Sequence, residues 1–279
     1  MPLRPSARPG HPYLAGAPLL VAHRGGAGLA PENTFEAFRQ AVEVFGADML
    51  ELDVRLSADG KVVVIHDATV DRTTDGSGRV AEMPWRELQA LDAGHRFQGP
   101  DGDAGFRGRD VRLPLLDDVL DGLPWARLNV EAKCREVAGP LVERIRAHSA
   151  EHRVLVAAEH ESHRIAARGY PGPWGASRSQ IVPFLLLHRA PFGSVYTPRV
   201  DALQVPERWR GRRLVTRRFV HEAHRRNIPV HVWTVDDPSD MRRLLELGVD
   251  GIQTDRPDRL ARVLHDECGR PLPPALEAA

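Results

Sequence analysis

Cysteine is almost missing from this chain: Cys134 and Cys268 are the only two in 279 residues, too few for a disulfide framework and without metal-type spacing. Lysine is equally scarce, with Lys61 and Lys133 set against 36 arginines. No apolar run approaches the roughly 18 residues that a membrane helix needs. The N-terminal MPLRPSARPGHPYLAG has arginines but is broken by Pro2, Pro5, Pro9 and Pro12, with no long apolar stretch behind it, which makes a poor signal peptide. A charge excess is lacking as well. With 38 basic and 38 acidic residues the formal net charge is +0, so no global field draws the protein to nucleic acid or anionic lipid, and any handling of phosphate must be local. These absences point to a soluble, cytoplasmic protein with neither a nucleic-acid partner nor an integral membrane segment.

What is present is a 42% hydrophobic content, enough for a large core, and an alternation of short β-rich runs with amphipathic helical stretches. Eight strand candidates follow: Leu19 to His23, Asp48 to Val54, Arg127 to Lys133, Val154 to Ala157, Trp174 to Ser177, Ala202 to Val205, Pro229 to Trp233 and Gly251 to Thr254. Eight strands at this length predict an α/β fold, a (β/α)8 TIM barrel over residues 18–265, with an N-terminal extension at 1–17 and a flexible tail at 266–279. In the first helix Phe35, Phe38, Val42 and Phe45 recur at helical spacing, with Asn33 and Glu36 placed as cap and reciprocal partner. The stretch from about 55 to 112 is too long for an ordinary βα loop and predicts an insertion after the second strand. It carries a strand, Lys61 to Ile65, and a Gly/Asp-rich segment, Gly99 to Gly108, expected to be mobile.

The chemistry-bearing residues fall at predicted strand ends. In Asp48-Met49-Leu50-Glu51-Leu52-Asp53-Val54 the period of two puts Leu50, Leu52 and Val54 on one face and Glu51 and Asp53 on the other. Two carboxylates roughly 7 Å apart along the strand can share a hard cation and are costly to bury without positive charge between them. The third strand repeats the pattern: Asn129, Glu131 and Lys133 share one face, so Glu131 can complete an oxygen site. The first strand ends in His23-Arg24-Gly25-Gly26, where Arg24 can clamp phosphate oxygens and His23 can transfer a proton. The insertion delivers His66-Asp67, then Asp71-Arg72-Thr73-Thr74-Asp75-Gly76-Ser77-Gly78. Taken singly each is also explained by a solvated strand end or turn; together they form a coherent site.

The order of AHRGG, PENT, LELDV, SADGKVVVIHD, DRTTDGSG, RLPLLDDVL and NVEAK, with echoes in HVWTVDD and GIQTDRP, resembles the glycerophosphodiester phosphodiesterase family from Leu19 to Pro257. The resemblance implies a hydrolase of lipid metabolism acting on small-molecule glycerophosphodiesters. It implies acid/base histidines at His23 and His66, ligands for one divalent cation, Mg²⁺ or Ca²⁺, at Glu51, Asp53 and Glu131, and phosphate contacts from Arg24 and Lys133. Trp233 matches a substrate-contacting tryptophan, and its alternation with Val232 also predicts an inward position. The insertion is expected to cap the barrel mouth on the glycerol side. Ala158-Glu159-His160 departs from the Ser-Phe-Asp of many relatives.

Other classes fit less well. Gly26-Ala27-Gly28 lacks the third glycine of a dinucleotide fingerprint, with Pro31 at its position. His160-Glu161-Ser162-His163 and His221-Glu222-Ala223-His224 are each one residue too short for the two-histidine zinc motif. A barrel that binds without catalysing is disfavoured because every reactive residue is retained.

Overall fold

A computed structural model describes residues 11–102, 104–188, 196–209 and 211–277. Its strands are β1 (Leu19–Ala22), β2 (Met49–Leu56), β3 (Val62–Val64), β4 (Leu128–Ala132), β5 (Val154–Ala157), β6 (Leu203–Pro206), β7 (Arg208–Trp209), β8 (Arg212–Arg213), β9 (Val230–Trp233) and β10 (Gly251–Thr254). Seven are parallel, in the order β5-β4-β2-β1-β10-β9-β6, while β3 is antiparallel to β2 and β7 pairs with β8 as a hairpin. The helices are α1 (Phe35–Arg39), α2 (Trp85–Leu88), α3 (Leu116–Gly122), α4 (Arg135–Ala147), α5 (Glu161–Ala166), α6 (Arg178–Leu187), α7 (Arg217–His224), α8 (Pro238–Glu246), α9 (Pro257–Cys268) and α10 (Pro274–Glu277). None is long and apolar enough to cross a membrane.

The barrel closes where the fifth strand was expected, although Trp174 to Ser177 forms no full strand. It makes two parallel bridges, Trp174 to Val156 and Gly175 to Ala202, that join β5 to the start of β6. The stave is squeezed between Pro173 and the cap of α6 at Ser177, which leaves little backbone to pair. A Cβ at Gly175 would lie 2.6 Å from the Gln204 Oε1 and 3.3 Å from Ala157 Cβ, so a larger residue there requires the Gln204 side chain to move aside.

Strand alternation separates two layers of core. Leu50, Leu52 and Val54 of β2, with Leu128 and Val130 of β4, pack outward under the helices. Leu19, Val21, Met49 and Leu155 fill the lower barrel interior together with Tyr13, which is 2% exposed. The extension at 1–17 is therefore not wholly outside the fold. Tyr13 plugs the barrel floor and its hydroxyl donates to the Leu128 carbonyl at 2.8 Å. The tail expected from Asp266 is likewise corrected: α9 runs to Cys268, Arg270 makes two 2.6 Å bonds to Asp48, and Leu276 is buried. A bidentate guanidinium on a strand-end carboxylate, with an apolar anchor behind it, gives that segment a docking site.

The insertion holds its own small core, including Val63, Ile65, Val70, Val80 and Leu88, built on β3 and α2. Within the Gly/Asp-rich segment Phe106 meets Phe97 edge to face at 5.3 Å.

Candidate active site

Three strands adjacent in the sheet, β1, β2 and β4, carry every charged candidate side chain but His66 at or near their C-terminal ends, where barrel enzymes place their chemistry. The register sets Asp53 opposite Glu131 and Glu51 opposite Asn129, so the carboxylates of two strands meet inside the ring. Ligand oxygens of Glu51, Asp53 and Glu131 lie within 4.8 Å of one another, with Glu51 and Asp53 buried. Lys133 Nζ sits 3.2 Å from Asp53 and 3.1 Å from Glu131.

This trio is electrostatically unfinished. Burial pushes the Glu51 carboxyl up to about 8, with the Asp53 charge adding to the effect. Asp53 is also buried, yet Lys133, Arg24 and a hydrogen bond from Asn33 hold its carboxyl below the ordinary range. Glu51 thus keeps its proton at neutral pH beside an ionised Asp53, which is the state that a hard cation relieves. The all-oxygen donor set fits a divalent ion of the Mg²⁺ or Ca²⁺ kind.

The turn after β1 brings Arg24 to this cluster. Arg24 has φ 51, followed by Gly25 at φ 84, and a Cβ on Gly25 would meet Ala37 of α1 at 2.7 Å. The left-handed turn points the Arg24 backbone N–H at Glu51 (2.9 Å) and places its guanidinium 3.4 Å from Asp53 and 3.0 Å from Glu32.

Both histidines are fixed the same way. His23 Nδ1 lies 2.7 Å from Asp255, just past β10, and His66 Nδ1 lies 2.6 Å from Asp67. A carboxylate only accepts, so each Nδ1 carries a proton and each Nε2 is left for a ligand. His23 Nε2 is 3.9 Å from Glu51. Burial works against protonating His23, but the bond to Asp255 and the charge of Glu51 outweigh it, raising its pKa above the ordinary value. His66 is tied to the barrel by Arg72, which bonds Asp67 at 2.5 Å and Glu32 at 2.6 and 2.8 Å.

All eight residues singled out in the sequence, Trp233 included, line one cavity of about 420 Å³. Among the lining residues His66 is the insertion's sole contribution. Glu159 reaches the rim and pairs with Arg178 at 3.3 Å. Sequence reasoning missed Asp255, Glu32, Arg72 and Asn33. Asn33 was assigned as helix cap, but Thr34 caps α1 by accepting from Ala37 N–H at 3.3 Å. Asn33, at φ 58, instead brackets Asp53 with two hydrogen bonds, 3.0 Å to its carboxylate and 3.2 Å from its backbone N–H.

The chain matches the glycerophosphoryl diester phosphodiesterase family over residues 23–171 and 174–259, and it belongs to that family. A glycerophosphodiester phosphodiesterase of Caldanaerobacter subterraneus subsp. tengcongensis is 34% identical over 257 residues, covering 88% of this chain and 97% of that protein. The crystal structure of glycerophosphodiester phosphodiesterase from Agrobacterium tumefaciens superposes with a TM-score of 0.70 at 28% identity, covering 88% of this chain and 99% of that one. An Oleispira antarctica phosphodiesterase solved with the product sn-glycerol-3-phosphate shares the fold, with a TM-score of 0.71, 24% identity, and coverage of 89% and 97%.

Proposed function

We propose that the enzyme hydrolyses glycerophosphodiesters to sn-glycerol 3-phosphate and an alcohol with one divalent cation, Mg²⁺ or Ca²⁺, held by Glu51, Asp53 and Glu131. The observation that carries this reading is the pair of Asp-anchored histidines flanking a buried carboxylate trio in one cavity. When bound, the cation supplies Lewis-acid withdrawal of charge from a phosphoryl oxygen. Arg24 and Lys133 line the same space and neutralise the diester and the charge that grows on it in the transition state. His23 and His66 divide the proton work: one Nε2 accepts the proton of the attacking hydroxyl, and the other donates to the departing alcohol oxygen. Asp255 and Asp67 keep both rings in the tautomer this requires. Trp233 contacts the substrate from β9. The cavity suits a small diester rather than a nucleic-acid strand, and two unpaired cysteines accord with a reducing cytoplasm.

The test is a metal-supplemented assay of a glycerophosphodiester panel, following sn-glycerol 3-phosphate and free alcohol separately. Chelation is expected to abolish turnover. Full activity in stripped enzyme, or unchanged turnover in Asp53→Ala, removes the metal site from the mechanism.

A further inference from the structure

The cavity has two unlike halves. Its charged half is built from β1, β2 and β4, and its other half from the opposite arc of the barrel, where Ile181, Val182 and Leu185 of α6 face Trp209, Leu214 and Trp233. Not one of those six side chains bears a charge. Helix α6 reads RSQIVPFLLL, so from Ile181 onward it has no polar side chain. A helix apolar on every face is ordinarily covered on every face. Phe184 is buried in the core, and Leu186, 73% exposed, lies off the cavity lining. Trp209 and Trp233, at 43% and 41%, are two of the five large hydrophobic residues left exposed among the described residues. Apolar surface gathered at the mouth of a reactive cavity marks a binding subsite rather than chance exposure.

We propose that this apolar half holds an unbranched hydrocarbon chain on the alcohol arm of the diester. The proposal deepens the phosphodiesterase reading and rests on it. With the phosphate against Arg24 and Lys133, one arm must run toward α6. The glycerol arm, with two hydroxyls, requires hydrogen-bond partners, and these lie in the charged half and on the floor, where Asn129 Oδ1 and Gln204 Nε2 are buried without partners. Apart from the indole N–H groups of Trp209 and Trp233, the six residues of the apolar half offer the alcohol carbon surface. Two tryptophans could also cage a quaternary ammonium. Such a site gains from a free carboxylate, whereas the one lining carboxylate outside the charged half, Glu159, is engaged by Arg178.

The deciding experiment measures kcat/KM for the full chain on sn-glycerol 3-phosphate esters of n-alkanols, methyl to octyl, below their micellar concentrations. A buried methylene is worth about 0.8 kcal/mol, so each added carbon should raise kcat/KM about two- to fourfold until the wall is filled. Leu185→Gln and Ile181→Gln should collapse the octyl-to-methyl ratio at least about tenfold, on the same scale. A flat series overturns the proposal. So does a choline ester that outruns its uncharged 3,3-dimethylbutyl isostere about tenfold or more, roughly 1.4 kcal/mol, since that places a cation between the tryptophans. A chain-length gain seen only when the chain is acylated onto the glycerol reverses the assignment of the arms and overturns it too. If no diester in the panel is cleaved, the hydrolytic reading fails separately. Calorimetric affinities of the octyl and methyl esters then decide the chain preference alone, equal values counting against it.

Discussion

Cation binding should depend steeply on pH, because the Glu51 carboxyl is pushed up to about 8, by burial first and then by the charge of Asp53. Asp53, held low by Lys133 and Arg24 against its own burial, is already ionised at neutral pH. A cation arriving at pH 7 therefore displaces about one proton, and its apparent affinity should climb about tenfold per pH unit until it levels off near pH 8. From pH 6 to pH 8 the gain is on the order of a hundredfold. The sign for folding runs opposite to that of an ordinary acid. A carboxyl whose folded pKa is about 8 rather than 4.5 binds a proton on folding, so stability present below 4.5 is lost as pH rises toward 8, and added cation restores it. Calorimetry in two buffers of different ionisation heat counts the released proton, and Glu51→Gln should remove the pH slope. Proton release near zero at pH 7 together with a flat affinity profile would refute the reasoning.

Four further outcomes follow from the same geometry. Asp255→Asn replaces the acceptor of a 2.7 Å charge-assisted bond to His23; such bonds contribute about 1.5–3 kcal/mol, so kcat should fall about 10- to 150-fold with cation affinity little changed. Arg72→Gln frees both Asp67 and Glu32. Arg72 is half-exposed, so stability should drop by less than about 1 kcal/mol, while kcat falls severalfold and Arg72→Lys recovers part of it; an unchanged kcat denies that this bridge positions His66. Lys133→Ala should lower kcat more than it raises KM, and a pure KM effect assigns the lysine to ground-state binding. Tyr13→Phe should cost about 0.5–1.5 kcal/mol in urea unfolding with kcat intact, as expected for a plug at the far end of the barrel.

The sequence spoke most clearly where a single strand decides the geometry. A period of two put Glu51 with Asp53, and Asn129 with Glu131 and Lys133, on inward faces, because strand parity is a local property of the backbone. It was silent where segments distant in sequence converge. Asp255 reaches His23 across 232 positions, and Arg72 reaches Glu32 across 40. The aspartate had a signal all the same, since it sits one residue beyond β10, at the rim where reactive groups gather. Asn33 was misread because asparagine is favoured both at helix caps and at positive φ, and only the neighbouring carboxylate distinguishes the two uses. The fifth stave was legible in place but not in form: Trp174 to Ser177 reads as a strand, whereas only two bridges form there. The apolar run of α6 drew no reading from the sequence, because its meaning lies in its nearness to Trp209 and Trp233, which belongs to the closed ring alone.

The seam of that ring also sets a clock. β1 and β10 pair from Leu19 with Gly251 to Ala22 with Thr254, so the first and last strands of the barrel are neighbours. Closing so long a loop gives no return until nearly all the chain has been laid down, which makes it the slowest kind of contact to establish. The His23–Asp255 bond spans the same seam. A nascent or partly opened barrel therefore holds one histidine without its aspartate and, on the scale set for Asp255→Asn, turns over about 10- to 150-fold more slowly. Turnover in this architecture reports topological completion, and a refolding chain should regain helix and sheet signals before it regains full hydrolysis.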